Sequence, residues 1–342
     1  MANARFENAL VGKPQATPPI WMMRQAGRYH RHYQALRAKN SFMDLCKDPE
    51  LAARTALGPI EDFDFDVSIL FSDLLFPLEA LGMGLEYGDG GPKLGWHLDP
   101  ENVSRLHSVE SAFPKLLFQG EAVRKTRNML PKDKSLIGFV GGPWTLYVYA
   151  VEGGHAGSLQ RSKSTPALYR KFCESLVPLL EKNIRLQLEN GAEVVMVLDT
   201  AAGEVSPGVF QRHLAADLAG LFAKFPGRIG YYSKSTQPAH FSSGFLADPN
   251  LPGFGVDHRW DMASVLRSRK KTSFVQGNFD QAQLFLSPAD FERELRAFFA
   301  PIAELSPEER AGWVCGLGHG ILPKTPEENV RSFVRIAREV FR

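Results

Sequence analysis

Ile20-Trp21-Met22-Met23-Arg24-Gln25-Ala26-Gly27-Arg28 is an apolar run that stops abruptly in Arg-x-x-Gly-Arg. Four apolar residues in a row fit a strand buried on both faces, and the polar end with its glycine fits the loop that the strand feeds. The same pattern recurs. Val67–Phe71, Leu136–Val140, Val194–Leu198, Arg228–Tyr232, Gly253–Val256, Ser273–Gln276 and Gly312–Gly316 are short runs rich in Val, Ile, Phe or Tyr, which makes eight candidate strands with Ile20–Met23. Amphipathic segments separate most of them. Asp48-Pro49-Glu50, Thr165-Pro166, Ser206-Pro207, Ser287-Pro288 and Thr325-Pro326-Glu327-Glu328 each set a capping side chain before a proline at the first helical position. The last segment, 326–341, places Val330, Phe333, Val334, Ile336 and Val340 on one apolar face. Eight β-then-α units predict an α/β fold, a single (β/α)8 barrel of the TIM type, with residues 1–342 as one domain. The alternative, an open doubly wound sheet of two domains, wants a G-x-G-x-x-G loop between an early strand and a helix. Gly82-Met83-Gly84-Leu85-Glu86-Tyr87-Gly88 has the wrong spacing, and Gly316-Leu317-Gly318-His319-Gly320 belongs to the last strand.

Composition narrows the function. With 44% hydrophobic residues in 342, the chain can bury a large core, and no low-complexity or like-charge block indicates disorder. A net charge of +2 without a broad basic stripe argues against a nucleic-acid binder. No apolar run of about 18 residues predicts a membrane span, and the N-terminus shows no secretory apolar region. Cys46, Cys173 and Cys315 are odd in number and contain no Cys-x-x-Cys pair, so they read as reduced thiols of a cytoplasmic protein.

Charge is nevertheless concentrated locally. Between Met22 and Met43 stand Arg24, Arg28, Arg31, Arg37, Lys39, His30 and His32, with no carboxylate. Guanidinium presents a rigid fork of donors that matches carboxylate or phosphate. Two such forks on one loop point to a substrate with several negative charges; an exposed basic loop paired to distant acids is the plainer reading of the same residues. The strand ends carry the remaining polar groups in order: Arg24 and Arg28; Ser72 and Asp73; Gly141-Gly142-Pro143-Trp144 with Tyr147, Tyr149 and Glu152; Asp199 and Thr200; Ser233; Asp257; Asn278 and Asp280; His319. In a barrel these ends face one mouth. Taken singly, Asp73, Asp199 and Thr200 fit loop caps, Tyr149 fits a wall aromatic, and the glycines around His319 fit a tight turn. Their joint placement makes the case. No H-E-x-x-H, paired Cys/His spacing, P-loop or G-x-S-x-G is present, so the chemistry expected is a polyanion bound around a buried acid, with no metal and no nucleotide.

Pro19-Ile20-Trp21-Met22-Met23-Arg24-Gln25-Ala26-Gly27-Arg28-Tyr29 closely resembles the N-terminal signature of the uroporphyrinogen decarboxylases. Gly142-Pro143-Trp144-Thr145-Leu146 through Tyr149 to Glu152-Gly153-Gly154 resembles the same family, as do Phe71-Ser72-Asp73, Gln276-Gly277-Asn278 and Gly316-Leu317-Gly318-His319-Gly320-Ile321-Leu322-Pro323, all in family order. The resemblance implies a (β/α)8 enzyme without cofactor or metal, usually a homodimer. The reaction it implies removes CO2 from the four acetates of uroporphyrinogen III to give coproporphyrinogen III. It further implies that Arg24, Gln25, Ala26, Gly27, Arg28, Asp73, Tyr149, Thr200 and His319 contact substrate, with Asp73 accepting hydrogen bonds from the pyrrole N–H groups. The electron pair freed by decarboxylation needs a sink. Protonating the adjacent ring carbon makes an iminium that can accept it, and a carboxylate at the ring nitrogens stabilises that cation. Asp73 takes this role. The proton donor stays open among Arg24, a poor acid, Tyr149, water and a substrate carboxylic acid.

Three stretches depart from the family pattern. His30-Arg31-His32-Tyr33 replaces a common Pro-Glu pair and adds charge at the edge of the expected site. Asp199-Thr200-Ala201-Ala202-Gly203 lacks an aromatic found in bacterial members, and the loop His155–Ser162 is longer than usual. The competing functions are a zinc methyltransferase of the same fold and a non-catalytic tetrapyrrole carrier. The first needs a His-x-Cys pair after the fifth strand, where Tyr231-Tyr232-Ser233-Lys234-Ser235 stands instead.

Overall fold

A computed structural model describes residues 2–88, 90–241, 250, 253–269 and 273–342. Its strands are β1 (Val67–Ile69), β2 (Glu86–Gly88), β3 (Gly91–Lys93), β4 (Ser135–Gly141), β5 (Val194–Asp199), β6 (Ile229–Ser233), β7 (Gly253–Gly255), β8 (Phe274–Phe279) and β9 (Trp313–Leu317). Seven of them form one parallel sheet in the order β1-β4-β5-β6-β7-β8-β9, with β2 and β3 apart as an antiparallel hairpin. Every residue of β4, β5, β6, β8 and β9 is buried. This is why these strands read as unbroken apolar runs rather than alternating ones.

The expected first strand, Ile20–Met23, is reduced to a single bridge between Ile20 and Cys315. It still fills the eighth stave. On the β9 side, Cys315 N–H donates to Pro19 O (2.9 Å) and Trp21 N–H to Cys315 O (3.1 Å). On the β1 side, Asp66 N–H donates to Ile20 O (3.1 Å), and the Ile20 N–H finds the Asp66 carboxylate Oδ2 at 2.8 Å. A buried carboxylate thus accepts the hydrogen bond that a strand carbonyl would accept, and the curled sheet closes into a (β/α)8 barrel. Asp66 is held in turn by Asn3 Nδ2 (3.2 Å) and Arg5 (3.0 Å), so the N-terminal segment braces the seam.

The other staves lie within a few residues of their expected bounds. β1 stops at Ile69 rather than Phe71, and β8 runs on to Phe279. Asp48 caps the helix Pro49–Phe63, Ser206 caps Pro207–Val209 and Ser287 caps Pro288–Ala303. Thr325 does not cap the last helix: its hydroxyl donates to Leu322 O, and Glu327–Val340 begins with Pro326 in the cap position. Val330, Phe333, Val334 and Ile336 are buried on the inner face of that helix as the periodicity requires. The β2–β3 hairpin has no counterpart in the sequence reading, because its three-residue strands are too short to carry a pattern. Among the described residues no helix is long and apolar enough to cross a membrane.

Candidate active site

The C-terminal strand ends frame a cavity of about 890 Å³, near the top of the size range of small-molecule sites. Its wall is split by chemistry. Arg24, Arg28 and Arg37 supply positive charge, Tyr33, Phe42, Phe71, Tyr87 and Tyr149 supply aromatic surface, and among the described residues Asp73 is the one acid on the lining. Phe42 packs against Tyr87 with ring centres 4.5 Å apart and against Phe71 at 6.1 Å, so the hairpin, the helix Phe42–Lys47 and the end of β1 share one aromatic wall.

Arg24 sits on the loop just past the first stave with φ of +59°, a left-handed conformation that a side-chain-bearing residue adopts at some cost. The loop is pinned there by Gln25 N–H to Met22 O (3.2 Å) and Ile321 N–H to Met23 O (2.9 Å). Gly320 makes the pose possible, since a Cβ at that position would lie 2.4 Å from Arg24 Cδ. Among the described residues neither Arg24 nor Arg28 makes an ion pair; both are exposed and line the cavity. Uncompensated guanidinium groups on a concave aromatic surface are a receptor for carboxylates.

Asp73 follows β1. One oxygen, Oδ1, accepts the Leu75 N–H at 2.8 Å, which fixes the side chain. Burial pushes its carboxyl above the usual aspartate range, while the nearby Tyr87 hydroxyl, the Leu75 N–H and Arg24 pull the other way. The Tyr87 hydroxyl is buried beside it without a hydrogen bond of good geometry. Tyr149, on the helix Pro143–Glu152, is raised above the usual phenol range by burial and by Asp73, so it carries its proton. Its Oη lies 2.9 Å from His155 Nδ1.

His319 stands behind Arg24, outside the cavity lining, stacked on Tyr232 with planes 8° apart. The Tyr232 hydroxyl donates to Gly318 O at 2.7 Å and lies 3.0 Å from His319 Nδ1. Its proton being committed, the neutral imidazole must carry its own proton on Nδ1 and leave Nε2 as an acceptor. Burial, Arg24 and Lys234 hold this ring down to a pKa of about 3.

Several residues singled out in the sequence serve the scaffold. Gln25 is buried, its amide donating to Val67 O (3.1 Å), while Ala26 and Gly27 line the cavity. Asp199 accepts Thr145 N–H (2.8 Å), Thr145 Oγ1 (2.7 Å) and Tyr231 OH (3.2 Å), capping the helix Pro143–Glu152 from the neighbouring strand. Gly142 cannot supply that cap itself, since a Cβ there would lie 2.3 Å from Asp199. Thr200 is half-buried past the end of β5, outside the cavity lining. Ser233 bonds Thr236, Asp257 bonds Ser235 and Arg259, Asn278 bonds two carbonyls and Asp280 caps Ala282. The expected mouth therefore narrows to the side made by the first stave, β1 and the hairpin. His30, expected at its edge, is fully buried with Nε2 2.6 Å from Asp62, and burial lowers its pKa. Part of the basic segment is thus paired to a distant acid. Arg37, Tyr33, Phe42 and Tyr87 were not anticipated on the wall; the glycine-rich stretch after Tyr87 was the available turn signal for the hairpin.

Among solved structures, a methyltransferase from Methanosarcina mazei matches 99% of this chain and 99% of its own at a TM-score of 0.79 and 20% identity, which defines the fold class and no more. The model of the uroporphyrinogen decarboxylase family matches residues 1–340. A uroporphyrinogen decarboxylase from Solibacter usitatus is 32% identical over 348 residues, covering 98% of this chain and 97% of the relative. One from Actinobacillus succinogenes is 33% identical over 351 residues, covering 99% and 97%. The chain belongs to the uroporphyrinogen decarboxylase family. Its fold is that of a methyltransferase, but among the described residues no three His, Cys, Asp or Glu side chains are placed to hold a metal ion, and Cys315 is buried within β9.

Proposed function

We propose that this enzyme removes the four acetate carboxyls of uroporphyrinogen III as CO2 and releases coproporphyrinogen III, in tetrapyrrole biosynthesis and without metal or cofactor. The observation that carries the reading is one half-buried carboxylate, Asp73, set in an aromatic cavity whose other charges, among the described residues, are three arginines. A substrate with eight carboxylates and four pyrrole N–H groups is complementary to that arrangement. Arg24, Arg28 and Arg37 bind the peripheral carboxylates, the aromatic wall takes the pyrrole faces and Asp73 accepts the N–H groups.

In this mechanism a proton adds to the ring carbon next to the acetate-bearing position, and the ring becomes an iminium cation. The bond to the carboxylate then breaks, its electron pair neutralises the iminium, and CO2 leaves. The exocyclic methylene so formed takes up a proton to become methyl as the first proton departs. Each acetate consumes one proton overall. Asp73 faces the ring nitrogens, where the positive charge develops, so its attraction is strongest in the transition state. Gln25 acts by holding the 22–25 turn against β1, and Ala26 and Gly27 let substrate approach the backbone; His319 and Thr200 stand outside the cavity lining and take no part in this binding scheme.

The test is an anaerobic incubation of the purified protein with uroporphyrinogen III in the presence of a chelator, followed by chromatography of the oxidised products. Stepwise appearance of hepta- to tetracarboxylate porphyrins supports the reading. Tight binding without turnover would make the protein a tetrapyrrole carrier instead.

A further inference from the structure

The decarboxylation reading requires a proton donor at the cavity, and the loop after Gly154 places a titratable side chain against one of its wall residues. The helix Pro143–Glu152 ends at Gly153 in the left-handed conformation (φ +81°), and the chain turns there. The loop is tied down at its far end. Glu152 Oε1 accepts both the N–H (2.9 Å) and the hydroxyl (3.0 Å) of Ser162, and Leu159 is buried against the core. The segment between these anchors carries His155 to the Tyr149 ring. Nδ1 meets the Tyr149 hydroxyl at 2.9 Å, and the ring centres are 5.5 Å apart. His155 is exposed to solvent, whereas Tyr149 lines the cavity on which Asp73 opens.

We propose that His155 and Tyr149 form a proton relay, with the imidazole as the entry point and the Tyr149 hydroxyl as the group that delivers the proton to the substrate. This assignment rests on the decarboxylase reading. When His155 is neutral with its proton on Nε2, Nδ1 accepts the Tyr149 O–H, and the phenol proton points away from the substrate. When His155 is protonated, Nδ1–H donates to Tyr149 Oη, and the phenol O–H is released to face the cavity. In the transfer, the phenol O–H bond breaks as a C–H bond forms from a ring π pair. The imidazolium N–H bond breaks as its proton restores the phenol, and water reprotonates the imidazole. The ring-carbon proton lost later returns by the same pair, so one proton enters per CO2 released.

The electrostatic surroundings fit a gate rather than a fixed charge. Partial desolvation, Lys234 and Arg24 lower the His155 pKa, and Glu204 raises it; His319 interacts electrostatically with His155, and Tyr149 is the direct partner. A substrate bringing carboxylates beside Arg24 and Lys234 offsets those cations and favours imidazolium, so binding itself arms the donor.

The test compares kcat against pH for wild type, His155→Gln, Tyr149→Phe and the double variant, with ring ¹⁵N NMR of His155 in wild type and Tyr149→Phe. Wild-type kcat is expected to fall as pH rises through an inflection in the imidazole range. His155→Gln should lose roughly 10²-fold, a modest value for a positioned proton donor, together with the inflection, and should cost nothing further in the Tyr149→Phe background. The Nδ1 resonance should shift when the phenol oxygen is removed. A His155→Gln enzyme with wild-type kcat and pH profile, or additive losses in the double variant, overturns the relay alone. No turnover by the wild type overturns the decarboxylase reading itself.

Discussion

Replacing Asp73 by Asn removes a charge and little else. The amide oxygen of Asn retains the hydrogen bond from Leu75 N–H, and the two side chains have nearly the same volume, so the loop after β1 keeps its shape. The loss falls on the cationic intermediate. A unit charge about 4 Å from another is worth ~4 kcal/mol at the effective dielectric constant of ~20 that suits partly buried sites. That energy corresponds to about three decades in rate. The ground state loses less, because neutral pyrrole N–H groups bond an amide oxygen almost as well. Asp73→Asn should therefore lower kcat by ~10³-fold while KM moves only a few-fold, measured by anaerobic initial rates with wild-type thermal stability as the folding control. Protonating Asp73 acts in the same direction. Since burial raises this carboxyl above the ordinary aspartate range, wild-type activity should decline on the acid side at a pH above that range. An Asn variant within about fivefold of wild-type kcat would refute the charge-stabilisation argument.

Arg28→Ala should raise KM by roughly ten- to a hundredfold, the value of a hydrogen bond to a charged group, and leave the melting temperature unchanged, because the exposed guanidinium has no ion pair among the described residues. Asp66→Ala should cost about 1–3 kcal/mol in denaturant unfolding, since it leaves the buried Ile20 N–H without its acceptor at the barrel seam. Burial raises Asp199 to about 6 in the folded protein. Between about pH 4 and pH 6 the folded state therefore binds more protons at this group than the unfolded state, and its contribution to stability falls as pH rises, by about 3 kcal/mol in all. Asp199→Asn should flatten that window of the stability–pH profile relative to wild type.

The barrel was legible because strands covered on both faces produce short, unbroken apolar runs, and Asp48, Ser206 and Ser287 announce the helices that follow. The first stave was legible as an apolar run but not as a bridge, since the Asp66 carboxylate takes the place of a strand carbonyl, and a side chain in that role leaves no period in the sequence. The arginines of the site were visible as an acid-free segment and Asp73 as a polar residue at a strand end. What could not be read was which polar strand ends face the cavity. Asp199 looks like a rim residue until Thr145, on the helix after the neighbouring strand, is seen to claim it, and Asn278 until its amide is spent on Asp257 O and Trp260 O. Likewise His30 joins a basic run in the chain yet is buried against Asp62 in space. The aromatic wall built by Phe42 and Tyr87 depends on a hairpin whose strands are three residues long, too short for any alternation to register.

The most direct test of the account is a crystal structure of the anaerobic complex with coproporphyrinogen III. The account predicts the macrocycle in the 890 Å³ cavity, its pyrrole N–H groups within hydrogen-bond distance of Asp73 and its propionates on Arg24, Arg28 and Arg37. A product bound elsewhere on the barrel, or in this cavity with its nitrogens turned away from Asp73, would contradict it.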